Sequence, residues 1–149
     1  MKWGTRMTAA ALALTLAASS APAKAYSLPY GDVNDRYWAY LDILYSSQWG
    51  LLQGREDGNF HPEDTLTRAE FVSILARVGN VQLSRYPGSD FQDVAESAWY
   101  AQAVNWAHRM GVASGVGNGR FDPNGAVTRE QMATFLYRFA DFETEEPIE

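Results

Sequence analysis

Apolar residues recur at helical spacing in four stretches of the chain, and the later pair repeats the earlier pair. Phe71, Ile74, Leu75 and Val78 stand at i, i+3, i+4 and i+7, which places one apolar stripe on a helix over residues 68–78. Met132, Phe135, Leu136 and Phe139 repeat those offsets and predict a helix over 129–139. Trp99, Ala103, Trp106, Ala107 and Met110 predict a third, over 99–110; its counterpart over 38–48 is less regular, because Asp42 stands where Ala103 does. Gly50 and Gly111 close these helices by offering a left-handed C-terminal residue. Between the helices of each pair runs a polar loop, "GREDGNFHPED" or "GVGNGRFDPNG". Asp57-Gly58 and Asn118-Gly119 are tight-turn dipeptides, Phe60 and Phe121 are expected to plug the loops into the core, and Pro62 and Pro123 stiffen their exits. A short hairpin in the loop is compatible with this pattern. The expected fold class is all-α, two helix-loop-helix units packed as a small bundle.

The repetition is gapless. Residues 32–78 align with 93–139 at a constant shift of 61. Identical pairs include Asp32/Asp93, Trp38/Trp99, Gly54/Gly115, Phe60/Phe121, Arg68/Arg129 and Arg77/Arg138. The first unit is assigned to residues 26–80 and the second to 91–140, with a linker at 81–90 and an acidic tail at 141–149 read as frayed or disordered.

Composition narrows the chemistry. The chain has no cysteine, which removes disulfides, thiolate nucleophiles and Cys-based metal sites, and only two histidines, His61 and His108. No metal site and no cofactor is expected; the acids of "REDGN" lack the spacing of a calcium loop. Residues 1–25 read as an export signal. Lys2 and Arg6 precede an apolar run from Met7 to Ala18, and Ala23 and Ala25 form a small-x-small cleavage site. The run falls short of the roughly 20 residues that span a bilayer, so no integral membrane segment is expected after cleavage. The chain beyond the cleavage site carries nine arginines, no lysine and 18 acids, a net charge of −9, a poor surface for nucleic acid.

The repeated phrases "LTRAEF" and "VTREQM" each fit a capping box, with Thr67 and Glu70, or Thr128 and Gln131, exchanging hydrogen bonds with the first-turn backbone. That leaves Arg68 and Arg129 unexplained. A cation in the first turn faces the positive end of the helix dipole, and the same small conflict occurs twice. Two readings stand. A guanidinium beside a helix N-terminus suits a carboxylate or phosphate ligand; equally, it suits a structural ion pair, such as Arg68 with Asp64.

These features together resemble the S-layer homology repeat of bacterial cell-surface proteins. The resemblance is carried by "GDVNDRYW" and "GLLQGREDGNFHPEDTLTRAEF" in the first unit, and by "DFQDV", a Trp-Tyr pair and "AVNWAHRMGVASGVGNGRFDPNGAVTREQ" in the second. It implies a helical, non-catalytic, exported module that binds anionic, often pyruvylated, secondary cell-wall polysaccharide. It implies ligand contact at Arg68 in full and at Arg129 with the Glu-Gln change. Asp32, Asp93, Gly54, Gly115, Tyr37 and Tyr100 complete the candidate carbohydrate-binding set, although turn or cap roles for the aspartates and turn roles for the glycines compete. Trp38 and Trp99 are expected in the core, with a role as sugar platforms as the competing reading. His61 has Asp122 as its counterpart, which argues against a shared catalytic role, and no nucleophile motif or phosphate-binding glycine loop is present. The family implies three repeats where two are found here. The alternative function is therefore a protein-protein assembly module, whose missing unit comes from a homo-oligomer or from another chain of the same kind. Which glycan is bound is not legible in the residues.

Overall fold

The computed structural model describes residues 27–145; the expected export signal and the end of the tail lie outside them. Four α-helices occur in the order α1 Tyr40–Gln48, α2 Arg68–Val78, α3 Ala101–Arg109 and α4 Arg129–Glu145. Among the described residues there is no strand. Two isolated bridges occur, Gly117 with Arg120 in a tight loop hairpin and Thr67 with Ala126 between the units. The fold is all-α.

Each helix has a local reason to start and stop. Thr67 caps α2 in a complete box, its hydroxyl accepting the Glu70 N–H at 3.1 Å while Glu70 accepts the Thr67 N–H at 2.7 Å, worth about 1 kcal/mol. Gln131 closes the same box at α4. Gly50 and Gly111 both stand at φ +69 after α1 and α3, a conformation that an L side chain resists.

The apolar stripes do not make one core per unit. A single main cluster joins Val72, Leu75 and Ala76 of α2 to Val104, Trp106 and Ala107 of α3 and to Phe135 and Phe139 of α4. The second helix of the first unit thus packs chiefly on the first helix of the second unit. Phe121 is fully buried in this cluster. Helix α1 stands apart: Val33, Ala39 and Ile43 form a small satellite with Tyr30 and Phe60, and α1 makes no helix contact comparable to that between α2 and α3.

Three expectations change. Trp38 and Trp99 are 83% and 64% exposed, not core residues. α1 and α3 begin only at Tyr40 and Ala101, so both tryptophans precede the helical stripe. The acidic tail is helical as far as Glu145, because nothing between Ala140 and Glu145 breaks a helix. The segment 81–90 between the units is ordered. Leu83–Arg85 form a 3-10 turn, Val81, Leu83 and Tyr86 pack on the main cluster, and the buried Asn105 amide donates to the carbonyls of Tyr86, Pro87 and Gly88 while its oxygen accepts the Asp90 N–H.

Candidate functional site

The two repeated arginines have different surroundings. Arg68 is 3% exposed. Its Nε donates to Phe121 O and its Nη2 to Ser114 O, each at 2.8 Å. The guanidinium also lies 4.6 Å from the Phe121 ring centre and 5.3 Å from that of Phe135, distances at which a cation and a ring attract. Burial lowers its pKa, with Asp122 and Asp93 opposing. No ion pair joins this arginine to Asp64; its guanidinium ties α2 to the loop of the second unit. Asp64 instead pairs with Arg55 at 2.6 Å. Arg129 is exposed and makes no hydrogen bond or ion pair among the described residues.

Asp32 and Asp93 share a role inside their own units. Asp32 accepts the N–H groups of Phe60 and His61 at 2.8 and 2.7 Å; Asp93 accepts those of Phe121 and Asp122 at 2.8 and 2.9 Å. His61 and Asp122 both stand at φ 58, left-handed for a residue other than glycine. Each aspartate therefore pins the strained residue of the Phe-x-Pro turn. The Phe60 N–H lowers the Asp32 pKa. At Asp93 desolvation acts upward, but the two backbone donors hold the carboxyl below its usual value.

The remaining candidates divide. A side chain on Gly115 would meet Arg120 O at 2.5 Å, and one on Gly54 would meet Asn59 O at 2.6 Å. Both glycines are required by close approach within their own loops. Tyr37 donates to Glu63 at 2.6 Å, which raises its pKa. Tyr100 packs beneath the main cluster and meets Trp99 edge-on at 5.2 Å.

A cleft of about 380 Å³ lies where the first unit meets Trp99 of the second. Its walls include Gly54, Arg55, Leu66, Glu70, Ile74 and Arg77. Arg55 is compensated by Asp64 at 2.6 Å and Glu70 at 3.8 Å. Arg77 is held only by neutral acceptors, Leu51 O at 3.2 Å and Gln53 Oε1 at 3.4 Å; among the described residues it has no ion pair. The cleft thus offers an aromatic face, an apolar wall and one cation whose charge is unmatched. Of the sequence candidates only Gly54 lines it. Arg77 escapes a reading of the residues although Arg138 repeats it, because the position looks like an ordinary basic residue near a helix C-terminus.

The S-layer homology domain family matches residues 29–72 and 90–133, and the chain belongs to that family. Similar proteins include an S-layer protein sap of Bacillus anthracis, 32% identical over 130 residues that cover 87% of this chain and 15% of that protein. An amylopullulanase of Thermoanaerobacterium thermosulfurigenes is 34% identical over 116 residues, 76% of this chain and 6% of the enzyme. An exoglucanase XynX of Acetivibrio thermocellus is 32% identical over 114 residues, 75% of this chain and 10% of the enzyme. This chain therefore spans only a small part of each of these relatives. The S-layer homology domain is a non-catalytic module that mediates cell-wall anchoring.

Proposed function

We propose that this chain is an exported, cell-surface anchoring module that binds an anionic secondary cell-wall polysaccharide in the cleft between its two units. Arg77 takes the acidic group of the glycan, and the exposed face of Trp99 stacks on a sugar ring. The observation that carries the reading is the pairing in one cleft of an arginine without a carboxylate partner and a tryptophan left 64% exposed. A guanidinium in that state can give two parallel hydrogen bonds to a carboxylate at little cost to existing contacts. A pyruvyl ketal, which presents a carboxylate on a sugar, fits this chemistry. The backbone at Gly54 borders the ligand, and Tyr100 steadies Trp99 from the side. Arg68 acts indirectly, by holding the second unit, and with it Trp99, against the first. The overall negative charge favours a small directed site over a diffuse basic surface.

Cosedimentation with purified wall polysaccharide tests this. Arg77→Ala and Trp99→Ala are each expected to lower retention about tenfold, on the scale of one charge-assisted hydrogen bond or one aromatic contact. Their unfolding midpoints should match the parent's. Polymer stripped of its ketals by mild acid should bind the parent weakly. Parent-like retention of Arg77→Ala would remove the cleft from the mechanism.

A further inference from the structure

The two units meet through one set of donors and acceptors, and both halves of that set recur unused at opposite ends of the described chain. Across the internal junction Arg68 gives its Nε to Phe121 O, its Nη2 to Ser114 O and its backbone N–H to Gly125 O, and the Ala69 N–H goes to Pro123 O. These last two are first-turn N–H groups that a helix cannot satisfy itself. The shift of 61 converts the donors into Arg129 and Glu130, at the start of α4. It converts the acceptors into the backbone carbonyls of Phe60, Gln53, Asp64 and Pro62, in the first loop. Among the described residues none of these donor or carbonyl groups makes a hydrogen bond.

The apolar surfaces obey the same rule. Leu75 and Ala76, which α3 covers, are 3% and 1% exposed; their counterparts Leu136 and Tyr137 are 45% and 73% exposed. Trp106 is fully buried and its counterpart Tyr45 is 54% exposed. One end of the chain thus carries the donor half of the junction and the other end the acceptor half. Arg129 and Glu130 are exposed at the first end and Asp42 at the other, so charge neither favours nor excludes the match, which rests on the donor and acceptor groups.

We propose that this chain associates head to tail with a second copy, the start of α4 in one copy docking on α1 and the 53–64 loop of the next. Arg129 then donates to the carbonyls of Gln53 and Phe60 in the neighbouring copy, as Arg68 does to Ser114 and Phe121 within one chain. The contact is heterologous, so it closes into a ring or extends into a filament according to the angle between copies. Glu130 in place of the buried Ala69, Asp42 in place of Ala103 and Tyr137 in place of Ala76 make it more polar than the internal junction, so it depends on concentration. It also builds a second cleft. Trp38 of one copy comes to stand over Gly115 and Arg138 of the other, as Trp99 stands over Gly54 and Arg77. Only the ligand assigned to that second cleft rests on the wall-binding reading; the association does not.

Sedimentation velocity of the exported chain, without glycan, decides the matter. The weight-average mass of the parent should rise about twofold or more with concentration. Arg129→Glu, which breaks the donor end, and Tyr45→Glu, which breaks the acceptor end, should each be monomeric. An equimolar mixture of the two should form a dimer, because each variant keeps the half the other lacks. Parent protein that stays monomeric at millimolar concentration overturns the proposal and leaves these faces to a different module. Self-association that survives in both single variants overturns it too, by pointing to another surface. Neither outcome touches the wall-binding reading, which cosedimentation tests separately. If the second cleft forms, parent in its associated state should bind about twice as much polysaccharide repeat per chain as the mixed dimer's Trp38→Ala derivative; equal binding would confine the ligand to the first cleft.

Discussion

Arg68 and Arg129 occupy the same place in the same phrase, one residue after a capping threonine, yet one is a buried tie and the other is bare. Nothing in their own helices separates them. What differs is what each one reaches: Arg68 extends into the loop of the second unit, to the Phe121 and Ser114 carbonyls, and Arg129 has no such partner among the described residues. In a repeat protein a side chain's role belongs to the junction rather than to the unit that encodes it. The first-turn cation that conflicts with the helix dipole is explained at the junction, where carbonyl oxygens and aromatic faces offset that conflict.

The contrast can be broken from either side. The largest expected effect is that of Arg68→Ala, which strands two acceptors at the junction and opens a gap against Phe121 and Phe135; about 3 kcal/mol of stability should be lost, read as a lower urea midpoint. Arg68→Lys should recover only a small part of it, since an ammonium cannot span both carbonyls in the plane of a guanidinium. Asn105→Ala should cost about 2 kcal/mol, because, of the connector carbonyls it serves, only Pro87 O has a second donor, Arg109 Nη2 at 3.4 Å; a loss under half of that would mean that water replaces the amide.

A smaller effect sharpens the comparison within the loops. The carboxyls of Asp32, Asp93 and Asp90 are held below the ordinary value of 3.8 in the folded chain. A depressed folded pKa contributes stability above the unfolded value, and that contribution is lost as pH falls through the folded one. Urea midpoints should therefore be level from neutral pH to about 5 and decline below about 4. Asp93→Asn should flatten that decline; an unchanged acid limb would show that the turn does not depend on the charge. The smallest effect is expected at Arg129→Ala, within about 0.5 kcal/mol of the parent in dilute solution. A loss comparable to that of Arg68→Ala would mean that Arg129 already has a buried partner.

Much of the architecture was legible in the residues because it rests on local rules. The capping boxes, the left-handed glycines and the apolar stripes of α2 and α4 each specify backbone within a few positions, and the elements they specify are found, although Val78 and Leu136 of the stripes are exposed. Trp38 and Trp99 mislead because helical spacing continues in the sequence two residues past the true helix starts. The burial of Arg68 and the clamp at Asn105 could not be read at all, since both depend on partners 46 and 53, or 17 to 19, positions away. Arg77 carries the same lesson in reverse. Its repetition as Arg138 is visible, but only the cleft shows that its charge is unmatched.

The clamp at Asn105 has a mechanical consequence. With the connecting segment stapled to α3 and packed on the main cluster, the tilt between the two units is constrained without any sugar present. On the proposed reading, a glycan entering the cleft would lose its own torsional freedom while the protein has little left to order. Saccharides bulkier than the cleft would then be turned away at its mouth, through slow capture more than through fast escape.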